Sequence, residues 1–535
     1  LWSLPMFAFI STALLVPGLA GTSPLGTGLL ASPIPQASSA DGGGRVAATA
    51  ELPPPRLDGL DEEWREIPAA VEDPAGDEGG GVIDLRSLQV RETPDALWLR
   101  LAIGETPVNV QSLEESLELL VDIDGDSATG DRRGSMDGVD LAVRFSPRGR
   151  GISREGRGSA IDIVEPSLVA GERRSRIAKP FSTGIGAAPT TASTWLEFRL
   201  PRAAEGDDAR GLRFGPAPRL GARTVAADGS IRDEIEPTAW ALRTAPNRSV
   251  SVPRALPNPA AGTLRVLSWN VERGGLFNTP APFETVLEGV RPGAILLQEL
   301  DGRATPQVLA SWLDERLPVE GGWKVAVIDG DLRVAVASPS LEPSAALAAV
   351  ERPLPEGRRT VRAVGAIHEF AGRRVLLISV HLKCCGSIGS REDRIREAEA
   401  QAIREAVREA MADAASDGRG IDGVVMGGDF NLVGGAGVLD EAARGLDLDG
   451  SPLAAAPLYG PTGGTNLTWR DARSEFMPGR LDFVLFSDAR LELADGMVVD
   501  PAAFLPDDAA PDGPSDHLPL VVDLRWKAVA AAGRR

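Results

Sequence analysis

At 535 residues the chain exceeds one ordinary domain, and two or three are expected. Its 43% hydrophobic content is ample for packed cores, while 60 glycines and 42 prolines imply many turns and at least one loose linker. A formal net charge of −20 argues against retention on nucleic acid by a broad basic face and, more mildly, against anionic membranes. It leaves room for an enzyme that meets phosphate locally through a metal ion.

The first twenty residues, LWSLPMFAFISTALLVPGLA, carry no charge and close on the small-x-small step Gly18-Leu19-Ala20. They read as a signal peptide over residues 1–20, although a basic n-region is missing and the chain opens on Leu. A secreted or periplasmic location is expected. The alternative is an uncleaved membrane anchor, since about 20 apolar residues span a bilayer. Residues 21–45 are rich in Gly, Ser, Pro and Ala and read as a disordered linker. The two cysteines, Cys384 and Cys385, are adjacent and cannot staple a fold. A vicinal disulfide and two free thiols both stay open.

From 46 to 245 short alternating runs dominate: 83–90, 96–103, 117–124, 139–145 and 194–200, separated by turn signals. Even spacing without strong helices predicts an antiparallel β-sandwich. Leu97, Leu99 and Leu101 share one face of their run, with Trp98 opposite. Leu196, Phe198 and Leu200 do the same against Trp195. A tryptophan off the core face stacks on a sugar ring or, more commonly, is covered by a neighbouring loop or domain. Asp122, Asp124 and Asp126 open like a calcium loop, but Ser127 and Arg133 stand where an EF-hand needs Gly and Glu. A looser Ca²⁺ site drawn from Asp122, Asp124, Asp126 or Asp131 is the remaining option. The phrase LDGLDEEW (57–64), followed by these strands and LLVDIDGDSATGD, loosely resembles carbohydrate-binding-module-like sandwiches. That resemblance implies a carbohydrate or cell-surface ligand for this half.

Residues 246–262 hold four prolines and little apolar periodicity, and read as a linker. From 263 to 527 buried-strand runs alternate with helical stretches, an α/β layered domain; 528–535 is a short tail. The clearest helix begins at Ser390, with Asp393 at capping-box spacing. Ile395, Ala398, Ala402, Ala406 and Ala410 continue an apolar stripe. The pivotal stretch is VVMGGDFN (424–431): an apolar strand ends in two glycines, then Asp429 and Asn431. Glycine there lets backbone or ligand come close, and ligands in layered α/β proteins gather at such strand ends.

The other runs end alike, in Asn270, Glu299, His381, Asp482, and Asp516 with His517. One polar strand end means little, but six in one domain point to a convergent pocket. Two of the three histidines are in this set; the third, His368, reads as a structural strand residue.

The pieces SWNVE (268–272), LLQEL (296–300), ISVHL (378–382), GGDFN (427–431), GRLDFVLFS (479–487) and PSDHLPL (514–520) resemble the endonuclease/exonuclease/phosphatase superfamily, in its order. The resemblance covers about half of the chain, residues 264–525. It implies a four-layer α/β sandwich, two β-sheets face to face with helices outside, preceded here by an all-β sandwich domain. It also implies a metal-dependent phosphoesterase using Mg²⁺, with Mn²⁺ as a substitute. Carried over residue by residue, Glu299 resembles the acidic metal ligand, with Asn270 beside it and Asp516 as a second carboxylate. Asp429 resembles the group that orients or deprotonates the attacking water, and Asn431 a donor to the phosphoryl oxygen. His517, oriented by Asp482, resembles a general base or phosphate-stabilising imidazole, and His381 a phosphate or leaving-group ligand.

The chemistry stands without the family. Phosphodiester hydrolysis needs charge neutralised on the non-bridging oxygens, an oriented water and help for the leaving oxygen. Lys383, Arg480 and Trp469 are the candidate substrate contacts, the first two for phosphate and the last for a base or lipid headgroup. Residues 263–527 hold 27 Lys and Arg against 40 Asp and Glu, with no basic run. A duplex-binding nuclease would offer a basic groove. The expected substrate is therefore a phosphate ester, whether nucleic acid, lipid headgroup or small phosphodiester, with no obligate protein partner evident. The alternatives are an extracellular endonuclease acting on DNA or RNA, and a catalytically inactive surface-binding protein.

Overall fold

Period-two runs with one apolar face must find a second apolar face to cover it, and in the first half two antiparallel sheets do so. The computed structural model describes residues 53–147, 157–165, 174–203, 211–246, 256–354, 357–506 and 513–528. Both the leader and the linker predicted over 1–45 lie outside these residues, as does most of the tail.

One sheet has five strands, in the order Ala69–Glu72, Ser87–Glu92, Ala96–Ala102, Trp195–Pro201 and Gly186–Ala188. The other has six: Ile231–Ala239, Arg219–Val225, Ser116–Asp122, Leu141–Phe145, Ser159–Glu165 and Arg174–Ala178. Leu97, Leu99, Leu101, Leu196, Phe198 and Leu200 meet Leu117, Leu119, Val143 and Phe145 in one buried core. The two tryptophans off that face are occupied. Trp98 is buried in a satellite cluster with Leu57, Trp64, Ala96 and Ala188, and its Nε1 donates to Thr93 Oγ1 at 2.9 Å. Trp195 lies under the Arg100 guanidinium, 4.9 Å from its ring centre. The sugar-stacking option thus gives way to burial for Trp98, because segment 464–467 of the other half closes over it.

The second half is four-layered. One sheet runs Lys324–Val327, Arg333–Ser338, Ala294–Leu300, Leu264–Asn270, Leu520–Trp526 and Leu491–Val498. Its partner runs Leu341–Pro343, Ala363–Phe370, Arg373–His381, Gly423–Asp429, Asp482–Phe486 and Ala454–Ala455. Their inner faces share a core that includes Val266, Leu296, Val336, Val375, Leu377 and Val425. Helices Pro280–Val290 and Pro306–Arg316 cover the first sheet, and Arg391–Ser416 with Gly437–Ala443 cover the second.

The long helix starts where its capping box predicts: Ser390 Oγ accepts from the Asp393 amide at 3.2 Å. Ala402, Ala406 and Ala410 are buried as the sequence stripe predicts, and the departure is confined to the helix's first turns. Arg396 is fully buried, with Ala400, Ile403 and Val407 along the centre, while Ile395 and Ala398 are only half-buried. The guanidinium goes inward because it binds backbone: Nη1 donates to Lys383 O at 2.7 Å and Cys385 O at 3.1 Å, and Nη2 pairs with Asp393 at 3.0 Å.

Residues 52–535 form one compact unit, so the sandwich packs directly on the layered half. Of the stretch read as a linker, residues 247–255 lie outside the described residues, and Leu256 is buried beside Trp269 and Phe283.

Candidate active site

Strand register alone sets three of the candidate side chains abreast. His381 is opposite Asp429 in a parallel pair, and Asp429 is opposite Asp482 in the next, antiparallel pair. On the facing sheet Asn270 ends one strand opposite Gln298. Glu299 follows at a register shift between Leu297 and Leu300 and adopts φ +57°. Such a bulge re-aims a side chain that regular alternation would send elsewhere.

The two glycines are spacing devices. A Cβ on Gly427 would sit 2.8 Å from Leu296 Cδ1, so the facing sheets close up beside the site. At Gly428, with φ +153°, a Cβ would lie 1.9 Å from Val380 O, which excludes any other residue.

Asp429 is the hub. Its Oδ2 accepts from Asn270 Nδ2 at 3.2 Å and Asn431 Nδ2 at 2.9 Å, and its Oδ1 accepts from the Asn431 amide at 2.8 Å. The same Oδ2 lies 3.5 Å from His381 Nε2 and 3.8 Å from His517 Nε2. Glu299 Oε1 is 3.6 Å from His381 Nε2, and its Oε2 accepts from the Arg273 amide at 3.2 Å. Asp482 Oδ2 is 2.8 Å from His517 Nδ1 and takes the Thr468 hydroxyl at 2.7 Å.

The two imidazoles differ in charge. Burial, aided by Arg362, His517 and Lys383, holds His381 well below the ordinary histidine range, so it is neutral. Burial acts on His517 in the same sense, but the Asp482 and Asp429 carboxylates outweigh it and push the ring up to about 10. Asp429, buried beside Asp482 and Glu299, is pushed up to about 7 despite the His517 charge. One carboxylate poised near neutrality thus faces one imidazolium.

Of the predicted residues, Asn270, Glu299, His381, Asp429, Asn431, Asp482 and His517 converge in this cluster. Asp516 stands beside it: its Oδ2 accepts from Trp469 Nε1 at 3.0 Å, and burial raises its pKa. Asp516 thus stands at the rim of the cluster, close enough to feel the charges of His517, Glu272 and Glu299. Trp469 is therefore held by Asp516 and paired across the chain with Gly479 and His517. Lys383 gives its Nζ to Cys384 Sγ at 3.6 Å, and its amide to Glu399 Oε2 at 2.7 Å. Arg480 is not brought to the cluster. Its guanidinium stacks on Phe483 at 4.3 Å, near Tyr459 and Asp58, where burial lowers its pKa to about 10. His368 bonds Ser338 Oγ and Ser340 O through Nδ1, as a strand residue should.

Sequence reasoning missed the supports. Trp269 Nε1 donates to His517 O at 3.0 Å, Ser515 Oγ to Asn270 O at 2.7 Å, and Thr468 Oγ1 to Asp482. The small hydroxyls flanking the acidic motif residues were the available signal.

The donor set fits a hard divalent cation. Glu299, His381 and Asp429 each offer an atom within 4.8 Å of the others, and Asp429, Asp482 and His517 do likewise. Glu299 and Asp429 supply the anionic oxygens that Mg²⁺ prefers, while His517 Nδ1 is engaged by Asp482 at 2.8 Å. In the sandwich, Asp122, Asp124 and Asp140 form such a group, joined by neither Asp126 nor Asp131.

A model of the Endonuclease/Exonuclease/phosphatase family matches residues 267–517. No curated protein matches the chain. Among solved structures, the human Nocturnin catalytic domain with bound sulfate is 18% identical, covering 50% of this chain and 96% of its own, with a TM-score of 0.33. Truncated TDP2 from Caenorhabditis elegans is 20% identical over 49% of this chain and 97% of its own, at 0.35. The 3′ phosphatase NExo from Neisseria, bound to a product DNA hairpin, is 20% identical over 49% and 100%, at 0.33.

Proposed function

The C-terminal half of this chain belongs to the Endonuclease/Exonuclease/phosphatase family, a group of metal-dependent hydrolases of phosphate esters, and on that premise we propose that it is an exported phosphodiesterase of broad or small-molecule specificity. The observation that carries this reading is the unbroken polar chain Asp482–His517, Asp429, His381, Glu299, closed at one end of two facing sheets.

Glu299, with Asn270 beside it and Asp516 across from it, would hold Mg²⁺ or Mn²⁺, which supplies Lewis-acid stabilisation of charge on the phosphoryl oxygens. Asp429, titrating near neutrality, suits the removal of a proton from the attacking water. The His517 imidazolium, held by Asp482, donates to a non-bridging oxygen and stays charged through neutral pH. Neutral His381 contacts the phosphate, while Asn431, whose Nδ2 donates to Asp429 Oδ2 and to Leu382 O, holds the Asp429 carboxylate in place rather than reaching the phosphate itself. Because His517 is already protonated, its phosphate-stabilising role is favoured over that of general base.

The net charge of −13 over residues 263–527 and the withdrawal of Arg480 from the cleft favour a substrate other than duplex nucleic acid. Export is our inference from the uncharged, apolar residues 1–20, with a membrane anchor as the alternative. For the sandwich, the oxygen-only trio Asp122, Asp124 and Asp140 suits Ca²⁺. A carbohydrate or surface ligand for that half remains the sequence-based proposal.

The test is a panel of bis(p-nitrophenyl) phosphate, plasmid DNA, RNA, sphingomyelin and inositol phosphates on the full chain, with and without EDTA. Metal-dependent turnover of the small diester, abolished by Glu299→Ala or His517→Ala, is expected. Activity confined to plasmid DNA or RNA would establish the nuclease reading instead, and no turnover of any substrate would leave a surface-binding protein.

A further inference from the structure

Three loops leave or enter the catalytic strand ends, and each is hydrogen-bonded to the β-sandwich. After His381, the Ile388 amide donates to Asn109 Oδ1 at 2.7 Å. After Asn431, the Val433 carbonyl accepts from Asn109 Nδ2 at 2.8 Å, and Gly434 O accepts from the Ala192 amide at 2.9 Å. Ahead of Asp482, the Met477 amide donates to Gln111 Oε1 at 2.9 Å and the Arg480 amide to Thr190 Oγ1 at 2.8 Å.

Asn109 is the distinctive member, because one carboxamide, only 8% exposed, ties two loops whose strands carry His381 and Asp429. The same loops are joined again behind it. Asp393 accepts from the Gly389 amide at 2.9 Å and the Gly435 amide at 3.2 Å, and pairs with Arg396. Arg396 grips the carbonyls of Lys383 and Cys385, and Asn431 Nδ2 donates to Leu382 O at 3.1 Å. The path from Asn109 to His381 and Asn431 therefore runs through short, hydrogen-bonded links with little slack.

We infer that the sandwich braces the loops of the active site and that Asn109 is a positioning residue, its carboxamide setting the distance between the loop after His381 and the loop after Asn431. This rests on the phosphodiesterase reading of that site. Reacting groups must be held to about 0.5 Å, and a misplacement of about 1 Å costs on the order of 10²-fold in rate. An alanine at 109 frees both loops without touching substrate or metal.

The experiment compares Asn109→Ala and the isosteric Asn109→Asp, in the full chain, with the wild type. Asn109→Asp keeps an acceptor for Ile388 but sets a carboxylate oxygen against the Val433 carbonyl. Hydrolysis of bis(p-nitrophenyl) phosphate under Mg²⁺ is measured alongside amide hydrogen exchange. We expect kcat to fall about 10-fold or more with KM within twofold. Exchange should quicken in peptides 384–390 and 431–436 while strands 373–381 and 423–429 keep wild-type protection. A kcat within twofold of wild type in both variants overturns the inference. So does unchanged exchange in the two loops, or exchange quickened uniformly along the chain, which marks a merely structural residue. If the wild type itself shows no turnover, the phosphodiesterase reading fails separately, and the exchange data still decide whether Asn109 holds the loops.

Discussion

Replacing Asp482 by Asn isolates one charge in the site. In the wild type Asp482 Oδ2 lies 2.8 Å from His517 Nδ1, and both side chains are buried. Burial alone would neutralise the ring; the Asp482 and Asp429 carboxylates outweigh it and hold the pKa at about 10. An amide keeps the shape and an acceptor oxygen but removes the nearer charge, leaving Asp429, 3.8 Å away, to oppose desolvation. The ring should then titrate near or below its ordinary value of about 6.5, a drop of roughly 3 units or about 4 kcal/mol. At pH 8 the imidazolium falls from nearly complete to a small minority. A raised pKa means that the charged form, and the stability it brings, is fully present below about 6.5 and lost as pH rises through about 10. In the asparagine variant, with the ring at about 6.5 in both folded and unfolded chains, that stability is absent at every pH and the charge is largely gone by about pH 8. Hydrolysis of bis(p-nitrophenyl) phosphate from pH 6 to 10 should show an alkaline limb displaced downward by roughly 3 units, with a rate loss at pH 8 of about 30-fold or more, the factor by which the imidazolium population falls. A proton NMR titration of the three histidines reads the same shift directly. A variant within threefold of wild type, with its alkaline limb still near pH 10, would refute the assignment of His517 as a carboxylate-held cation.

Gly428→Ala should cost on the order of 3 kcal/mol or prevent folding, because its Cβ would overlap Val380 O at 1.9 Å. Gly420→Ala, with nothing within 4 Å, should change the urea midpoint little. Arg396→Met should cost about 3–5 kcal/mol in thermal or urea unfolding, since it strands the buried Asp393 carboxylate and frees the Lys383 and Cys385 carbonyls. Cys384 should be alkylated before Cys385 at pH 6.5, although Cys385 is the more exposed. The Cys385 thiol and the Lys383 ammonium hold Cys384 down to about 5, whereas Cys385 is pushed up; peptide mass mapping after brief iodoacetamide treatment decides the order.

Much of the site was legible because a strand's end is a local event. An apolar run that stops at a polar residue places that residue at a sheet edge whatever surrounds it, and Asn270, His381 and Asp429 needed nothing more. Glycines at 427 and 428 likewise announced a close approach that only backbone can make. The alternating runs of the first half announced a sandwich, since period-two burial follows from pleating alone. Thr468 and Ser515 were in view as neighbours of motif residues, but their role as hydroxyl props depends on partners brought by folding.

What the amino-acid order determined by itself was therefore the list of groups and the strand ends that carry them. Only the tertiary structure decided where the neighbours of those groups face. Arg480 turned onto Phe483, Asp516 onto Trp469, Arg396 inward onto backbone carbonyls, and Trp98 beneath the other half of the chain. It alone left one buried histidine neutral and the other charged, because a protonation state depends on which carboxylates stand within a few ångströms. The partners of Asn109 lie 279 and 324 residues away, a separation at which no local pattern of polarity or periodicity carries information.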